Sequence, residues 1–180
     1  MNKYFLAALL SVSVLSFQAN AENIYTPYIG IDGIYNKAKA NHFRPQYYGA
    51  NINLGTTYNK YFGTEIFYTQ VGSETKKVNS VQKYKTSYRA YGIDLIATAP
   101  LFQNFGLTAG AGIATYILSE KRPIASHSSD EGFGYRFSAG FVYDLNQNVA
   151  LRGRAGYINF DHISNADHMA EYVFGIRYKF

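Results

Sequence analysis

The sequence predicts an all-β protein, an eight-stranded antiparallel up-and-down transmembrane β-barrel. Three observations carry this. Apolar residues recur at every second position through eight segments, the connectors between segments alternate long and short, and the charged residues fall almost wholly on the parity opposite the apolar one. Composition agrees: the 180 residues include 18 Tyr and 13 Phe, yet the mean hydropathy is only −0.20. Rings that abundant make a chain hydrophobic on average unless polar residues are interleaved with them. An aromatic content of 17% excludes a disordered tail, and the lack of cysteine excludes a disulfide scaffold or a thiolate metal site.

Residues 1–21 are a separate element. Met1-Asn2-Lys3 is a short basic start, Tyr4 to Phe17 is apolar with scattered serines, and Ala19-Asn20-Ala21 has the small-x-small pattern of a signal-peptidase site. Ser11, Ser13 and Ser16 break the apolar run below the roughly 18 residues that a spanning helix needs, which disfavours an N-terminal anchor. The expectation is an exported chain, cleaved after Ala21, with residues 22–180 forming the barrel domain.

The strands are expected at residues 26–36, 46–58, 62–72, 87–99, 105–118, 133–145, 149–160 and 170–180. In the second, Tyr48, Ala50, Ile52, Leu54 and Tyr58 alternate with small or polar residues. Leu107, Ala109, Ala111, Ile113 and Ile117 do so in the fifth, and Tyr172, Phe174, Ile176, Tyr178 and Phe180 in the eighth. Long connectors run from Lys37 to Pro45, Ser73 to Thr86, Ser119 to Gly132 and Asp161 to Met169. Short ones run from Asn59 to Tyr61, Pro100 to Asn104 and Asn146 to Asn148. Long loops on one side and tight turns on the other, with an even strand number, are the layout of an outer-membrane barrel.

Charge placement sets the orientation, because Lys or Arg facing lipid at the midplane costs about 2–4 kcal/mol. With the apolar parity outward, Asp32, Glu65, Asp94, Arg136, Asp144, Arg152, Arg154, Glu171, Arg177 and Lys179 all fall inward. Arg89 is the exception, at the loop end of its strand, where it can snorkel to the headgroups. Twelve of the 16 glycines share the inward parity, as a lumen barely wide enough for side chains requires. Tyr35, Tyr48, Tyr68, Tyr135, Tyr157 and Tyr172 would ring the loop side, and Tyr58, Phe62, Tyr143, Tyr178 and Phe180 the turn side. A soluble lipocalin-like barrel needs the opposite parity, which would crowd all those rings into a small lumen with no cavity left.

At the C-terminus, Gly175, Tyr178 and Phe180 in Val173-Phe174-Gly175-Ile176-Arg177-Tyr178-Lys179-Phe180 resemble the signal read by the outer-membrane assembly machinery. Val173 stands where a polar residue is usual. With the eight segments, this resembles the eight-stranded outer-membrane barrel superfamily that includes the OmpA transmembrane domain and the OmpX/Ail group. The resemblance implies a bacterial outer-membrane protein with lipid, lipopolysaccharide and the assembly machinery as partners, and a structural or adhesion-type surface role. It implies no cofactor, and nucleic acid is excluded as a partner of an exported barrel.

Five groups of residues could carry chemistry or binding. Asp32, Glu65, Asp94 and Glu171 can pair with Arg136, Arg152, Arg154 and Arg177 in the lumen, as a neutralising plug or as a gated, low-conductance ion path. His162, Ser164 and Glu171 resemble the Ser-His-Glu set of the PagL lipid A deacylases, with His162 as base, Ser164 as nucleophile and Glu171 orienting the imidazole. Parity opposes that, since Glu171 falls inward while such chemistry faces lipid. Asp161, His162, Asp167 and His168 match no zinc spacing, so no metal site is expected. The Gly106, Gly110, Gly112 run shares the lumen parity and precedes no helix, so it reads as strand rather than as a phosphate loop. On the loops, Lys37, Lys39 and Arg44, then Lys76, Lys77, Lys83 and Lys85, make basic tips that could contact lipopolysaccharide phosphates or host polyanions.

Overall fold

The computed structural model describes residues 25–39, 46–78, 82–121, 127–161 and 168–180. Residues 1–21, read above as a signal peptide, lie outside the described residues. Eight strands follow in chain order: β1 (Thr26–Lys39), β2 (Gln46–Thr57), β3 (Phe62–Val78), β4 (Gln82–Phe102), β5 (Phe105–Lys121), β6 (His127–Asp144), β7 (Val149–Asp161) and β8 (His168–Lys179). Each pairs antiparallel with its chain neighbours, and β1 closes on β8, so the sheet is a closed barrel. Closure leaves no strand edge exposed in the wall, which is what lets strands cross a bilayer that offers the backbone no hydrogen bonds.

Two of the tight turns have a local cause legible in sequence. The Asn59 carboxamide oxygen accepts the backbone N–H groups of Tyr61 and Phe62 at 2.8 and 2.9 Å. Asn146 does the same for Asn148 and Val149 at 2.9 and 2.8 Å. Asparagine substitutes for the missing backbone acceptor in such turns, which is why it stands first in both.

The period-two pattern is realised as an inside-out distribution. On the outer wall Ile31 pairs across the ladder with Ile52 and Ile176, and all three are exposed. Ile31, Leu95, Phe137 and Phe174 each keep 60–64% of their surface open. Burying one such side chain is worth about 1.5–3 kcal/mol, a stabilisation forgone in water but supplied by lipid. Tyr35 sits in register with Tyr48 and Tyr172, and its ring lies 5.0 and 6.1 Å from theirs, forming part of the loop-side girdle. Tyr178 and Phe180, 5.3 Å apart, belong to the turn-side girdle.

Three expectations need correction. The connectors expected at Ser73 to Thr86 and Ser119 to Gly132 are mostly strand. β3 and β4 run on to Val78 and from Gln82, and β5 and β6 run on to Lys121 and from His127. Polar residues hid this, because alternation is invisible where both parities are polar. A β-bulge at Gly72-Ser73, between the pairs Val71–Tyr88 and Glu74–Thr86, also reverses the parity of the last part of β3. Finally, the inward parity is not uniformly polar.

Candidate functional site

The lumen has two layers. The lower one, from the middle of the wall toward the turns, is a continuous ion-pair network. Arg152 enters from the start of β7 and donates Nε to Asp32 Oδ1 at 2.7 Å, with a second bond from its Nη2 to Asp32 Oδ2. Its Nη1 donates to Glu65 Oε2 at 2.6 Å. Arg177 from β8 donates to the same Glu65 oxygen at 3.0 Å, and Arg154 bridges Glu65 at 3.7 Å and Asp94 at 3.0 Å. Arg136 continues the chain from Asp94, at 3.5 Å, to Glu171, at 2.8 Å. All eight charged residues proposed for the lumen thus meet in one network of four carboxylates and four guanidiniums, with no net charge.

Neutral groups complete the layer. The Tyr28 hydroxyl donates to Glu65 at 2.9 Å, while the Asn51 and Asn53 carboxamides donate to Asp32 at 2.7 and 2.9 Å. The Arg177 and Arg136 guanidiniums lie 4.3 and 3.9 Å over the Tyr28 and Phe67 rings. Removing one member of such a set strands a buried charge, which is why the set is complete. Space for it comes from glycine: a Cβ on Gly112 or Gly175 would collide with the Asp94 or Asp32 carboxylate. A cavity of about 10 Å³ beside Arg152, Arg154, Arg177 and Ser138 has room for about one water.

Above this layer, toward the loops, the lumen is apolar. Tyr47, Phe67, Val71, Tyr88, Ala90, Ala114, Tyr116, Ile158 and Met169 form one buried cluster, with Leu118 and Phe160 packed against it. Tyr47, Tyr88, Tyr116 and Phe160 make a chain of rings with centroids 5.8, 6.0 and 4.9 Å apart. Buried Asn36 donates its side-chain amide to the Tyr88 hydroxyl. Sequence reasoning missed this plug, though a signal was present. Phe67 shares the parity of Glu65, Tyr88 that of Asp94, and Tyr116 that of Gly112, so large rings stand on the charged parity near the loop ends.

The remaining candidates are dispersed. Glu171 is buried in the lumen on Arg136, while Tyr172, Phe174 and Ile176 of the same strand face outward. His162 and Ser164 lie outside the described residues, as does Arg44. Among the described residues no three His, Cys, Asp or Glu converge on a metal position. Lys37 lies with its Nζ 5.4 Å from the Tyr35 ring centre, and Lys39 ends β1. Lys76 and Lys77 belong to β3, and Lys83 and Lys85 to β4, rather than to a loop. At the turn-side rim Lys179 pairs with Asp144 at 2.7 Å. In the C-terminal motif, Gly175 lies inward against Asp32, and Tyr178 and Phe180 lie outward.

Known proteins share this architecture. The chain superimposes on Neisserial surface protein A with a TM-score of 0.73 at 19% identity, covering 86% of this chain and 97% of that one. Ail of Yersinia pestis, solved with the heparin analogue sucrose octasulfate, gives 0.65 at 12% identity, with 87% and 99% covered. OprG of Pseudomonas aeruginosa gives 0.59 at 15% identity, with 86% and 95% covered. No curated protein sequence matches the chain. The model of the family described as "Outer membrane protein beta-barrel domain" matches residues 5–180, nearly the whole chain. The closed eight-strand wall with its apolar exterior and charge-neutral interior is therefore that of an outer-membrane protein, and the chain belongs to the outer membrane protein β-barrel domain family.

Proposed function

We propose that this protein is a non-enzymatic, sealed outer-membrane barrel whose role is contact at the cell surface, in the manner of an adhesin. The filled lumen carries this reading. A salt-bridged layer and an aromatic layer lie in series, so the loop side is the part of the molecule left free to act. Lys37, Lys39, Arg44, Lys76, Lys77, Lys83 and Lys85 give that side a basic character suited to anionic partners. Ail, of the same fold, was crystallised with a sulfated heparin analogue, which makes sulfated host polysaccharides the first partners to try.

The test is binding of heparin and of cultured host cells by bacteria that express the protein, with those seven residues changed to Gln together. Loss of binding at unchanged surface display is expected, and undiminished binding removes the adhesion reading. Lipid A acylation, read by mass spectrometry, should be unchanged by Ser164→Ala. Outer-membrane lipid and lipopolysaccharide surround the barrel in this reading, and the assembly machinery engages Gly175, Tyr178 and Phe180. Cleavage after Ala21 is checked by N-terminal sequencing of the membrane-extracted protein.

A further inference from the structure

The ion-pair network uses three of its arginines unequally. Arg152 commits Nε, Nη1 and Nη2 to Asp32 and Glu65. Arg154 meets Asp94 and Glu65 through Nη1, and Arg177 meets Glu65 through Nη2. Among the described residues the Nε–H of each of these two has no acceptor, although the Arg154 and Arg177 side chains are only 8% and 11% exposed. A buried guanidinium N–H left in that state carries its full desolvation cost.

The same three arginines line the cavity in the lower layer of the lumen, with Thr108 from β5 and Ser138 from β6 supplying hydroxyls. None of the four carboxylates of the network lines it. Its polar side chains are therefore guanidiniums, which only donate, and hydroxyls, which can donate. A water in this space would turn its own two protons toward cations. An anion instead presents acceptor capacity and opposite charge in every direction. Gly110 makes the room, since a Cβ there would lie 2.6 Å from Ser138 Oγ. With space for about one water, the cavity takes a single atom-sized anion and excludes phosphate, sulfate and carboxylate groups.

We propose that this cavity is a binding site for one monatomic anion, chloride under physiological conditions, held by Arg152, Arg154 and Arg177 and by the hydroxyls of Ser138 and Thr108. The ion accepts from the two Nε–H groups that the carboxylates leave open, so it completes the network on the one side that no acid reaches. It lies inside the wall, apart from any loop-side contact, and it makes the stability of the barrel depend on chloride.

The test has a crystallographic and a solution arm, both on the full barrel. Crystals of the wild type grown in sodium bromide should show an anomalous peak in the cavity, within hydrogen-bond reach of Ser138 Oγ and the Arg177 guanidinium. In vesicles of zwitterionic phospholipid, urea unfolding is followed at constant ionic strength as chloride replaces gluconate, which is too large for the cavity. Raising chloride to about 100 mM should lower the unfolding constant about tenfold, the factor 1 + [L]/Kd for a Kd of about 10 mM. Gly110→Ala, which sets a methyl group against Ser138 Oγ in the space of the ion, should remove both the peak and the chloride dependence. Ser138→Ala keeps the space and removes a donor, and should lower the dependence several-fold. It carries the comparison if the heat-modifiable gel shift shows that Gly110→Ala does not fold. An ordered water in place of bromide overturns the proposal. So does a bromide peak with no chloride dependence in vesicles, which marks an adventitious ion only. Equal chloride dependence in the wild type and the variants assigns the effect to general salt screening and overturns it as well.

Discussion

Arg152 joins Asp32 to Glu65, and Glu65 in turn takes Arg177 and Arg154, so one side chain holds the centre of the lumen network. Arg152→Ala leaves two carboxylates short of a partner in a site where they are almost fully buried. The expected cost is about 3–5 kcal/mol, read from urea unfolding of the barrel in lipid vesicles. Replacing both members of a pair behaves differently. Arg136→Met with Glu171→Leu removes a cation and an anion together at the boundary with the apolar plug, leaving Asp94 its bond to Arg154. The double variant is expected to be more stable than Arg136→Met alone, in the same unfolding measurement. Glycine at 112 belongs to this account, because Gly112→Val would drive Asp94 off its arginines.

At the scale of the strand, Ile31 in the middle of β1 and Asp32 beside it answer to opposite solvents. Ile31→Arg places a cation against lipid in the middle of the wall and should cost about 2–4 kcal/mol in vesicle unfolding titrations. Strand identity and face were legible in the sequence, because lipid outside and charge inside impose a period of two. That imprint fades in the polar stretches from Ser73 to Thr86 and from Ser119 to Gly132, where neither parity is apolar, so alternation marks them as connectors although the backbone is mostly strand. The bulge was illegible for a related reason: Gly72-Ser73 followed by polar residues looks the same whether or not parity reverses.

For the molecule as a whole, the two lumen layers are expected to act as barriers in series. The wild-type protein is expected to show no steady conductance in planar bilayers. Tyr88→Ala with Tyr116→Ala should stay silent, because the network below remains closed; adding Arg152→Ala should produce measurable current. Steady conductance by the wild type would contradict the sealed-barrel reading. From the sequence alone came the strand number, the antiparallel order, the inside-out polarity and the eight charges of the network. All of these follow from solvent on each parity, which any strand records locally in its own residues. Which guanidinium meets which carboxylate, and the closing of the loop-side lumen by Tyr47, Tyr88, Tyr116 and Phe160, were decided by the tertiary structure. Those depend on register and barrel closure, which bring together residues far apart in the chain, 120 positions in the bond from Arg152 to Asp32. Alternation along a single strand is blind to its neighbours.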